Sequence, residues 1–155
     1  MKQFLIFLCL AFLYNCRSPL LFEDFQELPG EVWENSQTIE FNAEIPDSGF
    51  YQISLNLRHT TDYEMTHLWC MVAAKNNQQQ ILLRDTLGFH IAEKNGRWIG
   101  EGDNLKNLTQ SFSQNPVYLL PGETIFRIRQ GMRIKKLKGI KSIGLKIEKK
   151  KELEK

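Results

Sequence analysis

The chain has 155 residues, 42% of them hydrophobic and 25% charged, with a formal net charge of +2. That length holds one domain and not two comfortable ones; the apolar share excludes a disordered chain, and 10 Gly with 5 Pro exclude a collagenous or Pro-rich one. So small a net charge excludes the overall field that gathers nucleic acid, and three cysteines cannot make a fully paired disulfide scaffold.

Residues 1–16 begin Met1-Lys2-Gln3, run apolar from Phe4 to Leu13, and end Tyr14-Asn15-Cys16. A positive start and roughly ten apolar residues read as a secretory signal, because a bilayer-spanning helix needs about 20. Leu13-Tyr14-Asn15-Cys16 is similar to a bacterial lipobox, in which the cysteine is acylated and becomes the new N-terminus, although Tyr14 and Asn15 stand where smaller residues are usual. Acyl chains anchor because each buried CH₂ contributes about 0.8 kcal/mol. Removing the signal peptide 1–15 discards Cys9, commits Cys16 to lipid and leaves Cys70 alone in a chain of 140 residues. Within Leu68-Trp69-Cys70-Met71-Val72, Cys70 reads as a buried packing thiol and Trp69 as a core residue.

Residues 16–36 read as a lipid-anchored linker and lead-in. A β-sandwich domain is expected over 37–148, with a charged tail at 149–155. Ile39, Phe41, Ala43 and Ile45 alternate with polar residues, as do Tyr51, Ile53, Leu55 and Leu57, and Pro46-Asp47-Ser48-Gly49 between them predicts a hairpin turn. Leu68 to Ala74 and Ile81 to Ile91 predict a second strand pair around a polar turn. Glu93-Lys94-Asn95-Gly96 is a further turn, before Arg97-Trp98-Ile99-Gly100. Asp103 to Asn115 is polar and weakly patterned, and reads as a long loop with one helical turn. Val117 to Leu120 and Thr124 to Arg129 flank Pro121-Gly122 as a third expected hairpin, and Ile140 to Ile147 is the last strand. Seven or eight short strands at this spacing predict an all-β fold, a single β-sandwich or jelly-roll-like domain. Charge is divided: residues 16–132 carry 9 Lys+Arg against 15 Asp+Glu, whereas residues 133–155 carry 10 against 3.

The residues supply no reactive constellation. The histidines are His59, His67 and His90; a strand puts His67 and Cys70 on opposite faces, and no Cys-x-x-Cys or His-Glu-x-x-His occurs, so no metal or other cofactor is expected. No Gly-x-Ser-x-Gly elbow is present, and Asp62 with Asp85 is the one carboxylate pair to weigh for glycan hydrolysis. We therefore expect no catalytic residues and no small-molecule substrate. What stands out is large side chains beside charged ones in the loops: Trp33, Arg58-His59, Asp62-Tyr63, Arg97-Trp98 and Arg133. Such residues bury area while keeping a polar handle, which makes them interface material; the alternative is that the tryptophans cap the core.

Leu28-Pro29-Gly30 with Trp33, Arg58-His59-Thr60 with Asp62-Tyr63, and Leu68-Trp69 come in that order. They are followed by Asp85-Thr86, Gly96-Arg97-Trp98-Ile99-Gly100, Gln130, Met132-Arg133 and Leu137 to Gly144. Together these resemble the GldH gliding-motility lipoproteins of Bacteroidetes over nearly the whole mature chain; Thr66-His67 departs from the pattern. The resemblance implies a non-enzymatic outer-membrane lipoprotein of the gliding-motility machinery, linked to type IX secretion. It implies a membrane anchor at Cys16 and other machinery proteins as partners. Arg17-Ser18-Pro19-Leu20 lacks an acidic export signal, which implies the periplasmic face. The alternative is a carbohydrate-binding β-sandwich lipoprotein, with Trp98, Trp33 and Tyr63 as exposed platforms.

Overall fold

Eleven strands and one short 3-10 turn make up the structure, a computed structural model that describes residues 20–112 and 115–150. The expected signal at 1–15, Cys16 and residues 151–155 of the expected 149–155 tail lie outside the described residues; Lys149, expected in that tail, instead ends the last strand. The strands are β1 (Leu20–Glu27), β2 (Val32–Glu34), β3 (Ile39–Ile45), β4 (Gly49–Thr60), β5 (His67–Asn76) and β6 (Ile81–His90). They continue with β7 (Leu105–Ser111), β8 (Val117–Leu119), β9 (Gly122–Gln130), β10 (Lys136–Lys138) and β11 (Ile140–Lys149). All pairings are antiparallel. One sheet runs β1-β11-β4-β7, with β8 also paired to β4; the other runs β3-β9-β5-β6; β10 and β2 form a small third ribbon.

The two main sheets face each other as a sandwich because period-two sequences give each one apolar face. β3 alternates strictly between buried and exposed, burying Ile39, Phe41, Ala43 and Ile45. These meet Phe126 and Ile128 of β9, and Leu68, Cys70 and Val72 of β5, all buried. The other sheet contributes Ile53, Leu55 and Leu57 of β4 with Ile143, Leu145 and Ile147 of β11. Phe22 of β1 meets Phe41 edge to face, 6.4 Å between ring centroids, tying the sheets together. The expected all-β sandwich is what the chain forms.

Several expected details differ. Residues 20–36 are not merely a lead-in: β1 pairs with β11 along its length, and β2 pairs with β10. β1 lacks a clean alternation because, at the sheet edge, neither of its faces is fully covered. Pro46–Gly49 turns the chain from β3 in one sheet to β4 in the other, and β8 and β9 are likewise in different sheets, so neither pair is a hairpin. Only β5 and β6 pair as expected, around the Asn76–Gln80 turn. The stretch read as a loop at 103–115 contains β7, whose residues are mostly exposed or half-buried and so show no period.

β4, β6 and β9 start at the same end of the sandwich, and β3, β5 and β11 finish there. The opposite end carries the long connections 61–66, 91–104 and 131–135. The two ends are unlike, and the loop-bearing one collects most of the residues on which the family resemblance rests.

Candidate functional site

At the loop-bearing end, β4 delivers His59 into the interior beside Tyr63 and Trp98. The His59 ring lies 5.4 Å from Trp98 and 6.1 Å from Tyr63, and His59 and Tyr63 are buried. His59 Nδ1 donates to the Thr60 carbonyl at 3.0 Å, which leaves Nε2 as the acceptor; it has no partner among the described residues. Burial holds the His59 imidazole below its ordinary pKa of 6.5, against the opposing pull of the Thr60 carbonyl. Tyr63 donates its hydroxyl proton to the His67 carbonyl at 2.9 Å, and burial pushes its pKa up. Gly139, at φ +77°, passes so close that a Cβ there would sit 2.5 Å from the Tyr63 amide nitrogen. Trp33 is fully buried, and its indole donates to the Gln37 carbonyl at 3.3 Å.

The loop residues expected as one interaction surface therefore divide. His59, Tyr63 and Trp33 are core, and Trp98 is half-buried against them. Two of the three rings that would have served as sugar platforms are thus closed off. Arg58 lies over the Phe25 ring, 3.9 Å from its centroid, on the outer face of the first sheet. Phe25 can lie flat there because position 144 is glycine: a Cβ would come within 2.6 Å of the ring. Arg97 is exposed and bridges Glu93 at 2.5 Å; Asp62 and Arg133 are exposed. Asp62 lines a cleft with Gly30, Glu31 and Lys138, whereas Asp85 lines a different one on the second sheet and accepts the Thr86 amide. The two carboxylates do not share a site. Cys70 is buried, its thiol pKa raised by burial. Among the described residues, no group of three or more His, Cys, Asp or Glu is placed to hold a metal ion.

A second feature has no local signal in the sequence. Leu68, Cys70, Val72 and Ala74 of β5 face the core, so Trp69 and Met71 face outwards, and Trp69 is 45% exposed rather than core. The register aligns Met71 with Arg129 and Thr86, and Ala73 with Arg127 and Arg84. The outer face of the second sheet thereby becomes a groove of about 630 Å³ with Ala73 in its floor and Arg84, Arg127 and Arg129 around it. Glu40 accepts from Arg127 at 2.8 Å, and the Asn35 carbonyl accepts from Arg129 at 3.2 Å. Trp69 is framed at one end of this face: its ring covers Gly88, its carbonyl accepts from Gly131, and its amide donates to the Met132 sulfur at 3.4 Å. No single motif announces the groove: Arg127 and Arg129 alternate along β9, but Arg84 joins them from β6, 43 residues earlier than Arg127.

The chain is an all-β sandwich with long loops at one end and, on one sheet face, a groove where Arg84, Arg127 and Arg129 stand beside Glu40 and Asp85. The chain belongs to the GldH lipoprotein family, whose family model matches residues 20–147. It is 25% identical over 144 residues to a gliding motility lipoprotein GldH homolog of Christiangramia forsetii, with 87% of each chain covered. It is 23% identical over 155 residues to the gliding motility lipoprotein GldH of Flavobacterium johnsoniae, with 94% of this chain and 95% of that one covered. Among solved structures, Eiger TNF from S. frugiperda is similar over 88% of this chain and 96% of that one, at 9% identity and a TM-score of 0.42.

Proposed function

We propose that the protein is a non-enzymatic, lipid-anchored component of a gliding-motility apparatus. In this reading it is acylated at Cys16, held in the outer membrane with its domain on the periplasmic side, and works alongside type IX secretion. The observation that carries it is family membership across residues 20–147, nearly all of the described chain. The lipobox-like Leu13 to Cys16 supports the anchor, and the absence of acidic residues in Arg17 to Leu20 supports the periplasmic side. The domain acts by binding rather than by chemistry, with no cofactor and no small-molecule substrate. Its partner in the apparatus presents an acidic segment to the groove, where Arg84, Arg127 and Arg129 supply charge and Trp69 and Met71 supply apolar area.

The test is a Cys16→Ala variant in a gliding relative's background, followed by palmitate labelling and colony spreading. Loss of both is expected. A variant that still labels and still spreads overturns the reading.

A further inference from the structure

The end of the sandwich opposite the long loops carries a patch that neither the core nor the groove uses. Eight large apolar residues are exposed among the described residues; five lie at this end, Ile81 at the start of β6 in the second sheet and four that gather on the first sheet: Leu20, Phe50, Tyr118 and Leu120. The register shows why. Leu20 pairs with Glu148 beside Gln52, and in the final row the Lys150 amide donates to the Phe50 carbonyl while Phe50 pairs with Tyr118. The two rings meet edge to face, 5.2 Å between centroids, and Leu120 follows directly in the turn. All four side chains are between 43% and 60% exposed. They belong to the starts of β1 and β4 and to the end of β8 and the turn after it, within about three strand spacings, or roughly 14 Å.

Charge at this end is nearly balanced. Lys149 bridges Asp47 at 3.0 Å and Lys146 bridges Glu148 at 3.1 Å, while Lys150 on the first sheet and the paired Glu44 and Glu123 on the second lie at this same end. The patch is thus an apolar and aromatic tip inside a rim of ion pairs, not a basic surface.

Where the chain goes next supplies the occupant. Leu20 starts β1, and Cys16 lies only four residues before it, so the reach between them is at most about 14 Å. We propose that this end of the sandwich is seated in the headgroup region of the bilayer that holds the Cys16 anchor, with Leu20, Phe50, Tyr118 and Leu120 entering the interface. Aromatic rings with a polar rim favour that depth, and amphipathic elements sink about 5–10 Å into it. The seating holds the strands upright and turns the end bearing His59, Tyr63 and Trp98 away from the lipid. It rests on the acylation of Cys16 proposed above.

All three tryptophans lie towards the loop-bearing end, which gives the experiment an internal reference. The full lipidated chain is placed in phosphatidylethanolamine–phosphatidylglycerol vesicles containing lipids brominated near the headgroup. Its emission is compared with that of a Tyr118→Trp variant and, as a second probe, a Leu120→Trp variant. The added emission of both variants is expected to be quenched, in low and in high salt, while wild-type emission is not. Adding Phe50→Asp to either variant is expected to abolish the quenching while the acylated chain stays in the membrane fraction. Acylated protein whose added tryptophans are unquenched, or quenched only in low salt, overturns the seating and leaves the anchor standing. A mass spectrum showing Cys16 unacylated overturns the anchor and the seating with it.

Discussion

His59 lies at the centre of the loop-bearing end, and its environment makes a pH-dependent contribution to stability. The folded protein binds that proton less readily than the unfolded chain, because burial opposes charging the ring. The contribution is therefore complete above pH 6.5 and is lost as pH falls below that value towards the lowered folded-state pKa. Thermal melts from pH 7.5 to pH 5 should show the midpoint dropping in the wild type, and a smaller drop in His59→Phe. Gly139 is constrained differently. Its φ of +77° disfavours any side chain, and the Tyr63 backbone leaves no room for a Cβ. Gly139→Ala should cost about 2 kcal/mol or more, read as a lower urea midpoint. At this scale the sequence was an uneven guide. Cys70 was recognisable as buried, but Trp69 beside it was not recognisable as exposed, since Leu68 to Val72 is apolar on both faces and hides the period of two.

At the scale of elements, β1 is the strand nearest in sequence to the proposed anchor at Cys16. Its hold on β11 is assisted by Phe25 lying over Gly144, with Arg58 stacked on the ring from β4. Gly144→Val should lift Phe25, break the stack and raise amide exchange over residues 20–27, leaving β5 and β9 as protected as before. Exchange mass spectrometry resolves those segments. The strands were legible where one face is fully buried, as in β3, β4 and β11, and illegible at edges such as β1 and β7, where partial cover removes the alternation. The turns were legible as turns but not as connections. Pro46–Gly49 has the chemistry of a hairpin, yet whether the chain re-pairs or crosses to another sheet depends on β9 and β11, both more than 70 residues away. The groove was illegible for the same reason: it exists only once β6, β5 and β9 are in register.

At the scale of the molecule, stability and the proposed binding reside in different places. Trp33, His59 and Tyr63 build the interior, whereas Arg84, Arg127 and Arg129 stand on an exposed sheet face. The Arg127–Glu40 pair is about half-exposed on both sides, and such pairs contribute about 0–1 kcal/mol. Arg127→Glu with Arg129→Glu should therefore melt within a few degrees of the wild type while colony spreading is lost. A double variant that folds normally and still spreads would remove the groove from the partner interface.

Under the attachment proposed at Cys16, the direction of β1 has a mechanical consequence. Antiparallel rungs run across the strands, and β1 begins at residue 20, with β11 running past it in the opposite sense. A pull that enters at residue 20 and leaves through the loops at the far end travels parallel to the strand axes. All the rungs between β1 and β11 then resist it together, in shear. Had the load been borne at the near end, beside residue 20 itself, the pull would run across the strands and the same rungs would open one after another, like a zip.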